Sequence, residues 1–262
     1  MSDPLSDFER STFTFDARSH DVYRAGSGRA VVVIHEVPGL HPGVIDFGRR
    51  LIAAGYTVYM PSLFGRPGAP ISTGAIARAA VAVCVSREFA ILADRTSPVA
   101  SWLRALAARA HAECGGPGVG AVGMCFTGGF ALAMAVEPAV LAPVLSQPSL
   151  PAPLTRRRRA AIGLDRADLD AIRARTGDGL CVLGLRFTGD AACPGARFAT
   201  LRRELGEAFT AVEIDSSSGN AHGIAPRAHS VLTVDLVDRP GHPTRAALDQ
   251  VMAFLAERLR AS

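Results

Sequence analysis

The chain has 262 residues, 48% of them hydrophobic, and a formal net charge of +4. That composition allows a sizeable buried core and excludes overall disorder. No apolar run reaches the roughly 18 to 20 residues that cross a bilayer as a helix, which excludes a transmembrane chain.

Lysine is absent, so the pI of about 9.1 comes wholly from arginine. Acidic residues accompany arginine along most of the chain and aromatics make up only 6%, which argues against a nucleic-acid surface. The N-terminus carries Asp3, Asp7 and Glu9 and lacks an apolar signal core, so a cytoplasmic location is expected. Five cysteines (Cys84, Cys114, Cys125, Cys181 and Cys193) form no CxxC pair, which disfavours a disulfide framework and a zinc ribbon and suggests reduced thiols.

Residues 12–15 and 22–23 read as short edge strands within an N-terminal edge segment, residues 1–25. The continuous β-branched run Ala30-Val-Val-Val-Ile-His35 has the pattern of a strand buried on both faces of a parallel sheet. Val44, Phe47, Leu51 and Ile52 fall at helical spacing, and Gly55 stops that helix before an apolar strand at 56–60. Residues 63–75, rich in glycine and proline, read as an excursion over the C-terminal edge of the sheet. A helical stripe follows from Val99 to Ala110, then a strand at 119–122, a helix at 131–136 and a strand at 140–145. The dense run Arg156 to Arg159 reads as a solvated loop. Helix 166–175, strand 180–187, helix 196–205 and strand 209–214 continue the alternation. Leu232, Val234 and Leu236 suggest one more short strand. Leu248, Val251, Met252, Leu255 and Leu259 share one face of a last helix. No repeat or long linker divides the chain, so a single α/β domain spanning 1–262 is expected, its central sheet mostly parallel and flanked by helices on both faces.

The stretch Val119-Gly-Ala-Val-Gly-Met-Cys-Phe-Thr-Gly-Gly129 passes from strand to helix through a glycine-flanked turn centred on Cys125. A residue on such a turn is held out above the sheet, as a nucleophile requires, and the small neighbours let the backbone approach itself. A phosphate loop is disfavoured because GxxxxGK[ST] needs a lysine. A cysteine nucleophile needs a base and a group to orient that base, in the order nucleophile, acid, base. Asp190 follows the strand ending near Phe187, and His222 follows the strand ending near Ile214, in Asn220-Ala-His-Gly223. Both lie where ligands gather in open parallel sheets. His229 is the second choice as base; His35 and Cys193 read as structural or pocket-lining.

On these residues the chain resembles the dienelactone hydrolase family, a branch of the α/β-hydrolase fold. The resemblance runs from about His35 to the last helix and rests on His35-Glu-Val-Pro-Gly39, Gly123-Met-Cys125 with Gly128-Gly129, Asp190 with Pro194, and Ala221-His222-Gly223. It implies Cys125 as nucleophile, His222 as base and Asp190 as orienting acid. Backbone N–H groups of Val37 and Phe126 would form the oxyanion hole, and Glu36 would interact with the resting thiol. Arg227 is a candidate for a substrate carboxylate. Thr127 departs from the family pattern, since a strict elbow has glycine there. The implied activity is hydrolysis of a small-molecule ester or lactone through a thioester, with no metal or organic cofactor. Two other readings remain open at this point: a non-catalytic small-molecule binding protein of the same fold, and a redox-responsive protein pairing Cys125 with Cys193.

Overall fold

The structure, a computed structural model, describes residues 3–85, 89, 96–150 and 153–260; the side chain of Cys84 lies outside the described residues. In chain order the elements are β1 (Glu9–Phe15), β2 (Arg18–Gly26), β3 (Ala30–Ile34), α1 (Pro42–Ala53), β4 (Thr57–Ser62), α2 (Thr73–Val85), α3 (Val99–Cys114) and β5 (Val119–Met124). They continue with α4 (Gly128–Met134), β6 (Val140–Ser146), α5 (Arg156–Ala160), α6 (Arg166–Gly177), β7 (Val182–Phe187), α7 (Gly195–Leu205), β8 (Phe209–Ile214) and α8 (Pro243–Arg258).

All eight strands join one sheet in the order β1-β2-β4-β3-β5-β6-β7-β8. The six strands from β4 to β8 in that order run parallel, while β1 and β2 form an antiparallel hairpin that continues the sheet antiparallel to β4. The parallel core explains the unbroken apolar runs: in β3 all five residues are buried. Val31 and Val33 pack with α1 and α8 through Phe47, Leu51, Val251 and Leu255. Ala30, Val32 and Ile34 pack with α3 and α4 through Trp102, Leu103, Leu106 and Phe130 on the opposite face. Side chains alternate across a strand, so a strand covered by helices on both sides must be apolar at every position.

Three sequence expectations change. The hairpin is longer than residues 12–15 and 22–23, because its half-exposed polar positions conceal a seven-residue register from Glu9↔Arg24 to Phe15↔Arg18. Arg156 to Arg159 are solvent-exposed but form α5, whose first turn is capped by Thr155 Oγ1 accepting from Arg158 N–H at 3.2 Å. Residues 231–235 are a turn rather than a strand. Thr233 N–H and Asp235 N–H both donate to Ser230 O, at 3.3 and 3.0 Å, and Val231 N–H donates to Gln147 Oε1 at 3.4 Å, so these amides are used outside any ladder. In addition, α2 follows directly on the 63–72 excursion; its alanine and valine run shows no one-sided stripe from which a helix could be read.

Candidate active site

The turn after β5 has the geometry a displayed nucleophile needs. Met124 is extended (φ −124°, ψ 137°) and Cys125 adopts φ +56°, a left-handed conformation that is strained for a residue with a side chain and persists only where surrounding structure enforces it. Residues Cys125–Thr127 make a 3-10 turn leading into α4. A Cβ at Gly123 would lie 2.3 Å from Thr127 O, and one at Gly128 would lie 2.7 Å from Pro148 Cα, so these two positions carry the glycine requirement. Thr127 is then an asset. Its fully buried hydroxyl accepts from Met124 N–H at 3.0 Å and lies 2.9 Å from Ile34 O and 3.1 Å from His35 O, tying the nucleophile turn to the end of β3.

The loop after β7 supplies Asp190, buried at 6% exposure. Its Oδ1 accepts from Ala192 N–H at 2.9 Å, and its Oδ2 is 2.7 Å from Nδ1 of His229. Nδ1 is thus committed to Asp190, and Cys125 is, with Asp190, one of the two groups that act on the charge of the His229 ring. Burial works to lower the pKa of His229, but the hydrogen bond to Asp190 and the influence of Cys125 overcome it and hold the imidazole up at about 11, so the cationic ring is favoured.

The structure therefore brings His229, rather than His222, to Asp190. His222 is exposed on a turn closed by Asn220, whose amide donates to Ser217 O and Ile224 O at 2.9 and 2.7 Å and whose Oδ1 accepts from the N–H groups of His222 and Ile224. The tight Asn-Ala-His-Gly context thus marks a self-contained solvent turn. Its ring meets His242, with centroids 5.5 Å apart, beside a cavity of about 240 Å³. His229 is placed by Asp235, whose Oδ2 accepts from the N–H groups of both His229 and Ser230 at 2.8 Å. Asp235 six residues after His229 is the sequence signal for that placement.

Glu36 sits at the centre of a buried network. Its Oε1 accepts from His41 Nε2 at 3.1 Å and from the Thr233 hydroxyl; its Oε2 accepts from Gln147 Nε2 at 3.1 Å and from the Ser230 hydroxyl at 2.8 Å. None of these bonds goes to Cys125, in contrast to the expected contact with the thiol, because four donors already occupy both oxygens. Burial alone would raise the Glu36 pKa; the donors, led by His41, more than reverse this and bring it below the usual glutamate value. His41 accepts from Gly43 N–H through Nδ1 at 3.1 Å, which leaves the Nε2 proton for Glu36. The hub joins the end of β3, the start of α1, the end of β6 and the base loop. Gln147, Ser230, Thr233 and Asp235 escape sequence reading because each is an ordinary polar residue until the chain closes.

His35 is structural. It is fully buried, its Nε2 accepts from Leu63 N–H at 3.0 Å, and desolvation pushes its pKa down to about 4. Among the described residues, the N–H groups of Val37 and Phe126 take no part in the surrounding loop hydrogen bonds, which include Gly39 N–H to Glu36 O. Val37 and Cys125 pack on one apolar cluster containing Phe64, Phe89, Phe126 and Phe130. Beside Pro38 and Gly39 opens a cavity of about 450 Å³ that includes Arg66, Ser72 and Arg78. Arg227 is exposed in the loop before His229. Cys193 is fully buried and desolvation raises its thiol to about 12. Among the described residues, no group of three or more His, Cys, Asp or Glu side chains is arranged to hold a metal, and no helix is long and apolar enough to cross a membrane.

A mostly parallel sheet whose strand-end loops converge over one displayed side chain is the architecture of the α/β hydrolases, and structural comparison gives the same class. A chain from Klebsiella pneumoniae subsp. pneumoniae MGH 78578 assigned as a dienelactone hydrolase superposes with a TM-score of 0.62 at 20% identity, covering 95% of this chain and 98% of its own. The dienelactone hydrolase-like promiscuous phosphotriesterase P91 from metagenomic libraries gives 0.62 at 15% identity, covering 97% and 98%. Dienelactone hydrolase from Anabaena variabilis ATCC 29413 gives 0.60 at 14% identity, covering 97% and 100%. No curated protein matches the sequence. The chain belongs to the dienelactone hydrolase family, whose model matches residues 15–256, and at the level of that family it is an ester or lactone hydrolase.

Proposed function

We propose that the protein cleaves a carboxylic ester or lactone through a thioester acyl-enzyme, with Cys125 as nucleophile, His229 as base and acid, and Asp190 holding the imidazole. The observation that carries this reading is that His229 Nδ1 lies 2.7 Å from Asp190 Oδ2, with Cys125, displayed on its left-handed turn, acting with Asp190 to favour the protonated ring. The sulfur adds to the substrate carbonyl carbon as the C=O electron pair moves onto oxygen. The amides of Val37 and Phe126 then donate to that oxyanion. Collapse breaks the C–O bond, and His229 delivers its Nε2 proton to the departing alkoxide, leaving a thioester. Water gives a proton back to His229 and attacks the thioester; the C–S bond breaks and the sulfur leaves as thiolate beside imidazolium. Arg66 and Arg78 in the cavity beside Pro38 and Gly39 join the exposed Arg227 as candidates for a substrate carboxylate.

Two histidine variants test the reading against hydrolysis of an alkyl ester. Cys125→Ala and His229→Ala should each lower kcat by about 10³-fold or more, while His222→Ala stays within about threefold of the parent. Near-parent turnover by Cys125→Ala, or a larger loss in His222→Ala than in His229→Ala, overturns it.

A further inference from the structure

We propose that Arg197 is a positioning residue that fixes the Asp190 loop against the Cys125 turn, an inference that rests on the Cys125–His229–Asp190 reading above. Arg197 lies in the first turn of α7 and is only 1% exposed. Among the described residues it forms no ion pair. Its guanidinium instead donates to four backbone carbonyls: Nε to Ala161 O at 2.6 Å, Nη1 to Pro148 O at 2.7 Å and Ala192 O at 3.1 Å, and Nη2 to Arg158 O at 3.1 Å.

Two of those carbonyls belong to the segments that hold the reacting groups. Pro148 precedes Ser149, whose N–H donates to Cys125 O at 2.9 Å. Ala192 is the residue whose N–H donates to Asp190 Oδ1 at 2.9 Å. One planar cation thus bridges the peptide beside the nucleophile turn and the peptide that grips the acid. The other face of the same loop is clamped by Arg186, which donates to Thr188 O and Cys193 O, each at 2.9 Å. Arg186 has Glu213 at 3.4 Å as counter-charge, whereas Arg197 has no carboxylate at ion-pair distance among the described residues.

A cation buried without a counter-ion is costly, and an apolar side chain of similar volume fills the same space without that cost. An apolar side chain cannot supply rigid, forked donors to carbonyls of three separate segments. Asp190 Oδ2 lies 2.7 Å from His229 Nδ1, so a loosened Asp190 loop weakens the contact that favours the imidazolium. Loss of Arg197 should therefore be felt at His229 and not only as loss of packing.

The test uses the full chain with Arg197→Met and Arg197→Lys, hydrolysing an alkyl ester whose leaving group needs the His229 proton. Arg197→Met should lower kcat by about 30- to 100-fold with KM within about threefold, and should move the alkaline limb of kcat/KM down by about one pH unit or more. Arg197→Lys, with three donors for four carbonyls, should fall between it and the parent in both respects. A folded Arg197→Met with the parental pH profile and kcat within about threefold overturns the proposal. Should Arg197→Met not fold, Arg197→Lys decides: a lowered limb supports the role, and a parental limb and rate overturn it. Cys125→Ala in the same assay separates the two readings, since undiminished turnover there removes the underlying mechanism whatever Arg197 does.

Discussion

Glu36→Gln distinguishes a carboxylate that works on the thiol from one that ties the site together. The substitution keeps one oxygen and turns the other into an amide that donates. Of the four donors on Glu36, either the pair His41 and Thr233 or the pair Gln147 and Ser230 then faces another donor. Hydrogen bonds to a charged group contribute about 1.5–3 kcal/mol each, and with Glu36 only 2% exposed solvent does not replace them. Losing two gives a destabilisation of about 3–6 kcal/mol, or roughly 6–20 °C in Tm for a chain of this size. The carboxylate pKa is lowered by folding, so its contribution is fully present above the unfolded value of about 4.5 and is lost as pH falls through the folded value. In urea unfolding monitored by circular dichroism, the gap between parent and Glu36→Gln should be full at pH 7 and should narrow below about pH 4. A variant less than about 1 kcal/mol weaker at pH 7, yet slow to react with iodoacetamide at Cys125, would refute the hub and restore a direct action on the thiol.

Two further outcomes follow from the same geometry. Thr127→Val removes the hydroxyl that satisfies Met124 N–H and reaches Ile34 O; leaving these buried groups unpaired should cost about 2–4 kcal/mol in denaturant unfolding, with Thr127→Ser within about 1 kcal/mol of the parent. Equal stability of the valine and serine variants would contradict the tie between β3 and the nucleophile turn. Because His229 is held up at about 11, its imidazolium persists well above the ordinary histidine range, so kcat/KM toward an alkyl ester should remain high through pH 9 and decline only as pH approaches about 11. A pH-rate profile that already declines near the ordinary histidine value of about 6.5 would contradict the raised imidazole.

Much of the scaffold was legible from residue pattern. The valine run of β3, the stripe of α3 and the glycine-flanked Cys125 are local signals: burial on two faces forces unbroken apolarity, one buried face forces helical periodicity, and a left-handed turn forces small neighbours. Asp190 at the end of β7 was legible for a related reason, since parallel strands deliver their following loops to one edge of the sheet. The full length of the hairpin, α5 and the 231–235 turn were not, because half-exposed or locally satisfied segments carry no burial pattern.

Which histidine meets Asp190 could not be read along the chain. His222 and His229 both follow β8, seven residues apart, and chain order ranks them equally; they differ in where the backbone is pinned. Asn220 folds His222 back on a solvent turn, while Asp235 draws the amides of His229 and Ser230 inward until the ring meets Asp190. The same holds for Glu36, whose partners Gln147, Ser230 and Thr233 lie more than 100 residues away. Sequence by itself determined which side chain is displayed, because that depends on a few adjacent backbone torsions; tertiary structure alone decided which imidazole and which donors reach it, because hydrogen-bond distance between remote segments is set only when the loops pack.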